Sequence, residues 1–166
     1  MTLKEHLVSA APLSLVVGLA SGSAGAGLAA GLTTVLVDAD HVLDYVVSNG
    51  RFEGLGHMID YSYRGRIRRL FLVGHSYELF FLALVLLPQW LPLIWALAIL
   101  SGWACHLALD QLFNTCQPGS YFFVYRLKKG FLREAITTPG RNLYTSLAFR
   151  LNLPQRPWTR PRDKKR

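Results

Sequence analysis

The chain has 166 residues, 51% of them hydrophobic, with a formal net charge of +8 and a mean hydropathy of +0.25; that is one domain's worth of chain, richer in apolar residues than an ordinary soluble domain. All 18 Lys and Arg lie at Lys4, between Arg51 and Arg69, or from Arg126 onward, so the basic excess never interrupts an apolar block and argues for anionic lipid headgroups over nucleic acid. Two cysteines, Cys105 and Cys116, exclude a disulfide framework.

The first apolar block, Leu7 to Val37, carries no charged residue and is too long for one ordinary membrane span yet too short for two full ones. Small residues from Ser21 to Gly27 offer a bend near its middle. His6 and Asp38 each lie 16 residues from Gly22, so a hairpin bent there brings them to one level. A single close-packed helix is the alternative. The same stretch imitates a secretory signal peptide, through Lys4, the Leu13 to Leu19 run and the small residues after it; the expectation is that it is retained.

Tyr45 to Arg69 forms a polar connection that ends in a basic run, Arg64 to Arg69, which suits orientation at a cytoplasmic face. His57 in this connection reads as a solvated loop residue. The second apolar block holds only Glu78 between Leu70 and Cys105 and is broken by Pro88 to Pro92, which marks a second helical hairpin. His75 lies 15 residues before Trp90 and His106 lies 16 after it, so both fall about 23 Å below the tip. Next comes Pro118 to Phe131, where Tyr121, Phe122, Phe123 and Tyr125 interleave with Arg126, Lys128 and Lys129, as in an interfacial segment. From Pro154 the chain is rich in proline and basic residues and reads as disordered.

Three clusters of chemical interest therefore lie at one predicted level: Asp38, Asp40, His41 and Asp44; His75 with Glu78; and His106 with Asp110. Spacings of three or four residues put the members of each pair on one helix face. Carboxylates and imidazoles bordering apolar helices, with no Lys or Arg among them, need positive charge from elsewhere, and a divalent cation supplies it. The ligand set is His6, Asp38, Asp40, His41, His75, His106 and Asp110, which suits zinc, manganese or iron and leaves room for one or two ions. Asp44 and Glu78 are the candidate catalytic carboxylates, as general base or as orienting groups. Ser76 follows His75 without any further serine-activating pattern.

These motifs carry a family likeness. With His6, Asp38-Ala39-Asp40-His41, Gly74-His75-Ser76 and His106-Leu107-Ala108-Leu109-Asp110 in this order, the chain resembles the LexA-binding, inner-membrane-associated hydrolase family, also described as membrane-bound metal-dependent hydrolases. The likeness runs from about His6 to Lys129. The chain departs from it at Val37, where that family usually has Pro, and at Phe71 to Gly74, where it usually has a His-Arg-Gly. The resemblance implies a metal-dependent hydrolase of the bacterial inner membrane with its site at the cytoplasmic face.

The expectation is thus an all-α, polytopic membrane bundle of two helical hairpins, with four membrane-embedded helices, or three if Ser21 to Gly27 does not bend. Residues 1–135 form the membrane-embedded domain with the metal site. Residues 136–166 form a basic cytoplasmic interfacial segment and tail. The expected function is hydrolysis of an ester or phosphoester, in a phospholipid or lipid-linked phosphate. The rival classes are a metal-ion or proton transporter, which needs polar groups through the whole bilayer, and a noncatalytic membrane scaffold that recruits a partner through the basic tail.

Overall fold

The computed structural model describes residues 3–137; the basic tail expected from Pro154 lies outside them. The described residues are all-α, with short 3₁₀ turns and two isolated bridge pairs but no strands.

The first block is a hairpin of α1 (Leu3–Ser21) and α2 (Ala24–Leu36). Gly22 turns between them at φ +63°, a left-handed conformation that costs glycine nothing. Ser23 then caps α2 by accepting from the Ala26 N–H at 3.2 Å. The bend expected within Ser21 to Gly27 is therefore present. Small residues let the two helices approach closely: a Cβ on Gly27 would collide with the Ser14 carbonyl, and one on Gly31 with the Ser14 hydroxyl. The Ser14 Oγ donates to the Gly27 carbonyl at 2.7 Å.

α2 runs through a 3₁₀ turn, Val37–Asp40, into α3 (His41–Asn49), and α4 (Leu55–Tyr63) follows. The chain then runs without regular structure, pairing Arg69 with Leu132 in an isolated bridge, to a 3₁₀ turn at Val73–His75. Ser76 caps α5 (Tyr77–Trp90), accepting from the Leu79 N–H at 3.3 Å. The break falls at Leu91 and Pro92, because α5 carries Pro88 inside it, and α6 (Leu93–Phe113) returns. A 3₁₀ turn at Pro118–Tyr121 leads to α7 (Phe123–Lys128) and α8 (Arg133–Ile136).

α2 is the central helix, packed between α1 and α6, while α5 packs on α6. Its buried residues, Ala26, Gly27, Ala30, Gly31 and Thr34, recur at helical spacing and are all small, so backbones meet along this face. Gly102 of α6 sits against Ala30, where a Cβ would meet the Ala30 carbonyl. The Thr34 Oγ1 donates to the Ala30 and Gly102 carbonyls at 2.9 and 3.2 Å.

Both hairpin turns lie at one end of the bundle, and the His- and Asp-bearing helix ends lie at the other. Polarity is inverted relative to a water-soluble fold: Leu28, Leu32 and Leu36 are at least 60% exposed, whereas His6, Asp44, His75, His106, Asp110 and Arg126 are at most 2% exposed. Two helical stretches, Ala24–Asn49 and Leu93–Phe113, are long and apolar enough to cross a membrane; Glu5–Ser21 and Tyr77–Trp90 are apolar but shorter.

Candidate metal centre

Four helix ends deliver the site. α1 brings His6, the α2–α3 junction brings Asp38, Asp40, His41 and Asp44, the turn before α5 brings His75, and α6 brings His106 and Asp110 one helical turn apart. The His6 and His106 rings stack with centroids 4.1 Å apart. His6 Nε2 lies 3.1 Å from Asp110 Oδ1. Asp110 Oδ2 lies 3.3 Å from His75 Nε2 and 3.5 Å from His106 Nε2. Asp38 Oδ1 stands 3.4 Å from His75 Nε2, 3.5 Å from His41 Nε2 and 3.7 Å from His106 Nε2.

Two groups of donor atoms emerge, each with all its atoms within 4.8 Å of one another: His6, Asp38, His106 and Asp110, and Asp38, His41 and His75. Asp38 belongs to both. Ligand atoms on a tetrahedral zinc are about 3.3 Å apart, so these separations fit one cation, or two neighbouring cations sharing a carboxylate.

Tautomers provide an independent test of that fit. The Thr34 carbonyl lies 2.6 Å from His106 Nδ1, and a carbonyl only accepts, so Nδ1 carries the proton and neutral His106 offers a bare lone pair at Nε2. Asp40 Oδ2 lies 3.0 Å from His75 Nδ1, which leaves Nε2 bare in the same way whenever the His75 ring is neutral. The two Nε2 atoms are 2.9 Å apart. Two lone pairs at that distance repel unless a cation or a proton lies between them. Burial favours the neutral His75 ring, yet hydrogen bonds to Asp110, Asp38 and Asp40 outweigh it and hold its pKa well above the ordinary imidazole value. The pocket is built for positive charge, and imidazole with carboxylate is a donor set for zinc, manganese or iron.

The remaining carboxylates occupy other positions. Asp40 Oδ2 also accepts from the Gly74 N–H at 2.8 Å and so orients His75 from behind, the arrangement by which carboxylates fix metal-binding histidines. Asp44 is buried; its Oδ1 accepts from the Phe71 N–H at 2.8 Å, and its Oδ2, 4.0 Å from His41 Nδ1, has no hydrogen-bond partner among the described residues. Both Glu78 oxygens accept backbone N–H groups, of Phe123 at 2.8 Å and Val124 at 3.1 Å, so this side chain anchors the start of α7. His57 bonds instead to the Tyr45 hydroxyl at 2.6 Å. His41, with its side chain 35% exposed, is the open edge of an otherwise enclosed cluster.

Two participants have no distinguishing mark in the sequence. The Thr34 carbonyl orients His106 across 72 positions of chain, and no side-chain pattern announces a backbone acceptor. Arg126 reads like its neighbours Lys128 and Lys129 as part of a basic interfacial stretch. It is instead fully buried, donating from Nη1 to the His75 and Ser120 carbonyls at 3.1 and 2.7 Å and from Nη2 to the Leu72 carbonyl at 2.8 Å.

Comparison with protein-family models, with curated proteins and with solved structures yields no match to this chain.

Proposed function

We propose that the chain is an integral membrane, metal-dependent hydrolase acting on an ester or phosphoester at the cytoplasmic face of a bacterial inner membrane. The observation that carries this reading is the pair of imidazole Nε2 atoms facing each other at 2.9 Å, which only a proton or a cation between them reconciles, within a ring of carboxylates, one side of which opens at His41. In this reading α1, α2, α5 and α6 are all membrane-embedded, their exposed leucines facing lipid and the charged helix ends lying at headgroup level. The resemblance drawn from the sequence motifs supports the same class.

A divalent cation bound here, zinc by preference, would supply Lewis acidity and lower the pKa of a bound water. His6, Asp38, His106 and Asp110 would hold one ion, and Asp38, His41 and His75 would hold a second. Asp40 and the Thr34 carbonyl keep His75 and His106 presenting Nε2. Asp44 Oδ2 accepts the proton of the attacking water, whose oxygen forms the new bond to the acyl or phosphoryl centre. The ester bond breaks, and the proton passes on to the leaving alkoxide. A site at headgroup level meets phospholipid or lipid-linked phosphate without extracting it, and Arg64 to Arg69 attract anionic headgroups.

Translocation is the weaker reading. Polar side chains near the hairpin turns bond back to their own helices, Ser21 Oγ to the Val17 carbonyl and Gln89 Nε2 to the Val85 carbonyl, and so line no path. The test is elemental analysis and ester or phosphoester turnover of the purified protein. Co-purifying metal that is lost together with turnover in His106→Ala supports the proposal; wild-type turnover by His106→Ala sinks it.

A further inference from the structure

A cavity of about 40 Å³ lies beside the metal-ligand cluster; His41, His75, Asp110, Asn114, Ser120 and Arg126 line it together with apolar side chains. A water needs roughly 10–15 Å³ on this measure, so the space takes a few waters or one small tetrahedral group. Arg126 is the unexplained part of its wall. Its hydrogen-bond acceptors among the described residues are all neutral carbonyls, the carboxylates of Asp40, Glu78 and Asp44 act on it only through space, and its Nε–H is buried without a partner among the described residues. A buried cation with neutral acceptors and an unused donor is costly unless an anion completes it. Guanidinium also matches phosphate geometry better than any other side chain does.

The geometry points to Arg126 as the anchor of a terminal phosphoryl group, held in this cavity between its guanidinium and the cluster of His41, His75 and Asp110, which makes the substrate a phosphomonoester. The inference rests on the hydrolase reading and narrows it. A carboxylic ester has no dianionic group to satisfy Arg126, and a phosphodiester carries a second substituent that a cavity of this size does not enclose. Glu78 serves the same purpose indirectly, since it accepts the first N–H groups of the helix that carries Arg126. Water attacks phosphorus, the P–O bond to the alcohol breaks, and the alcohol leaves with the proton relayed from Asp44, giving inorganic phosphate.

The experiment measures inorganic phosphate binding by calorimetry on the full chain in detergent, for wild type, Arg126→Lys and Arg126→Met, with metal content determined on the same samples. Expected is phosphate binding by wild type that weakens roughly 10- to 100-fold in Arg126→Met, as loss of a charge-assisted hydrogen bond implies, with Arg126→Lys in between. Should Arg126→Met fail to fold, the wild-type and Arg126→Lys pair carries the comparison, because Lys keeps the charge and loses the fork. Phosphate binding that is absent in wild type, or indifferent to both substitutions, overturns the inference. Metal content is scored separately: a metal-free protein whose phosphate binding still depends on Arg126 defeats the metal reading and leaves the anchor standing.

Two further arms separate the sources of the phosphoryl group. Turnover of p-nitrophenyl phosphate but not p-nitrophenyl acetate supports a phosphomonoester, and the reverse preference overturns it. Phosphate release from phosphatidylcholine vesicles containing phosphatidic acid identifies a lipid source, whereas release from glycerol phosphate alone identifies a soluble one.

Discussion

His75 and His106 meet nitrogen to nitrogen at 2.9 Å, and each has its other ring nitrogen already committed, to Asp40 in one case and to the Thr34 carbonyl in the other. That opposition makes a cation the economical occupant of the site, and its consequences for binding, orientation and packing are separable by experiment.

Metal loading should release protons. The metal-free His75 holds its proton more tightly than an ordinary imidazole because its carboxylate neighbours outweigh its burial, and a metal ligand must be deprotonated. Metal affinity should therefore rise with pH until His75 is neutral without help. Calorimetry of zinc binding in buffers of different ionisation enthalpy reads this directly; zero proton uptake by the buffer at neutral pH contradicts it.

Asp40→Asn should keep the fold and weaken metal binding about 10- to 100-fold, the usual effect of losing a carboxylate behind a ligand histidine. Competition against a zinc-chelating dye measures it. An affinity equal to that of wild type would show that Asp40 does not orient His75.

Asp110→Ala should lose more metal than Asp40→Asn, since Asp110 lies within 3.5 Å of the Nε2 atoms of His6, His75 and His106. Chelator treatment of wild type should likewise lower thermal stability, by about 2.7 kcal/mol if metal had been present at a hundred times its dissociation constant. Melting curves with and without chelator test this, and coincident curves would argue against a bound cation.

Gly102→Val should destabilise the bundle by about 1–3 kcal/mol, because the new side chain forces α6 off the Ala30 carbonyl. The same shift moves His106, one turn further along α6, away from the Thr34 carbonyl. Unfolding in detergent and metal affinity should both fall. A change in neither would place the α2–α6 contact elsewhere.

Glu78→Gln separates anchoring from proton transfer. If Glu78 only holds the start of α7, KM should rise with little change in kcat and no change in the acid limb of the pH profile. A displaced acid limb with unchanged KM would give it a direct part in proton transfer.

The sequence by itself determined the long apolar helices, the proline bend and the level of the site, and left the glycine bend as one of two readings. Uncharged blocks bounded by Lys, Arg and Asp set where the long helices run, a proline pair sets the second turn, small residues from Ser21 to Gly27 offer the first, which the structure makes at Gly22 with φ +63°, and equal spacing from those turns brings His6, Asp38, His75 and His106 to one end. Such properties are local, because rise per residue and backbone freedom depend on a few neighbours. Only the tertiary structure decided how the polar groups are shared out: Asp40 behind His75, Glu78 at the start of α7, the Thr34 carbonyl on His106, and Arg126 buried beside the cluster instead of facing headgroups. Those roles depend on which backbone N–H and C=O groups the packed elements bring within about 3 Å, and chain spacing carries no such information across dozens of positions.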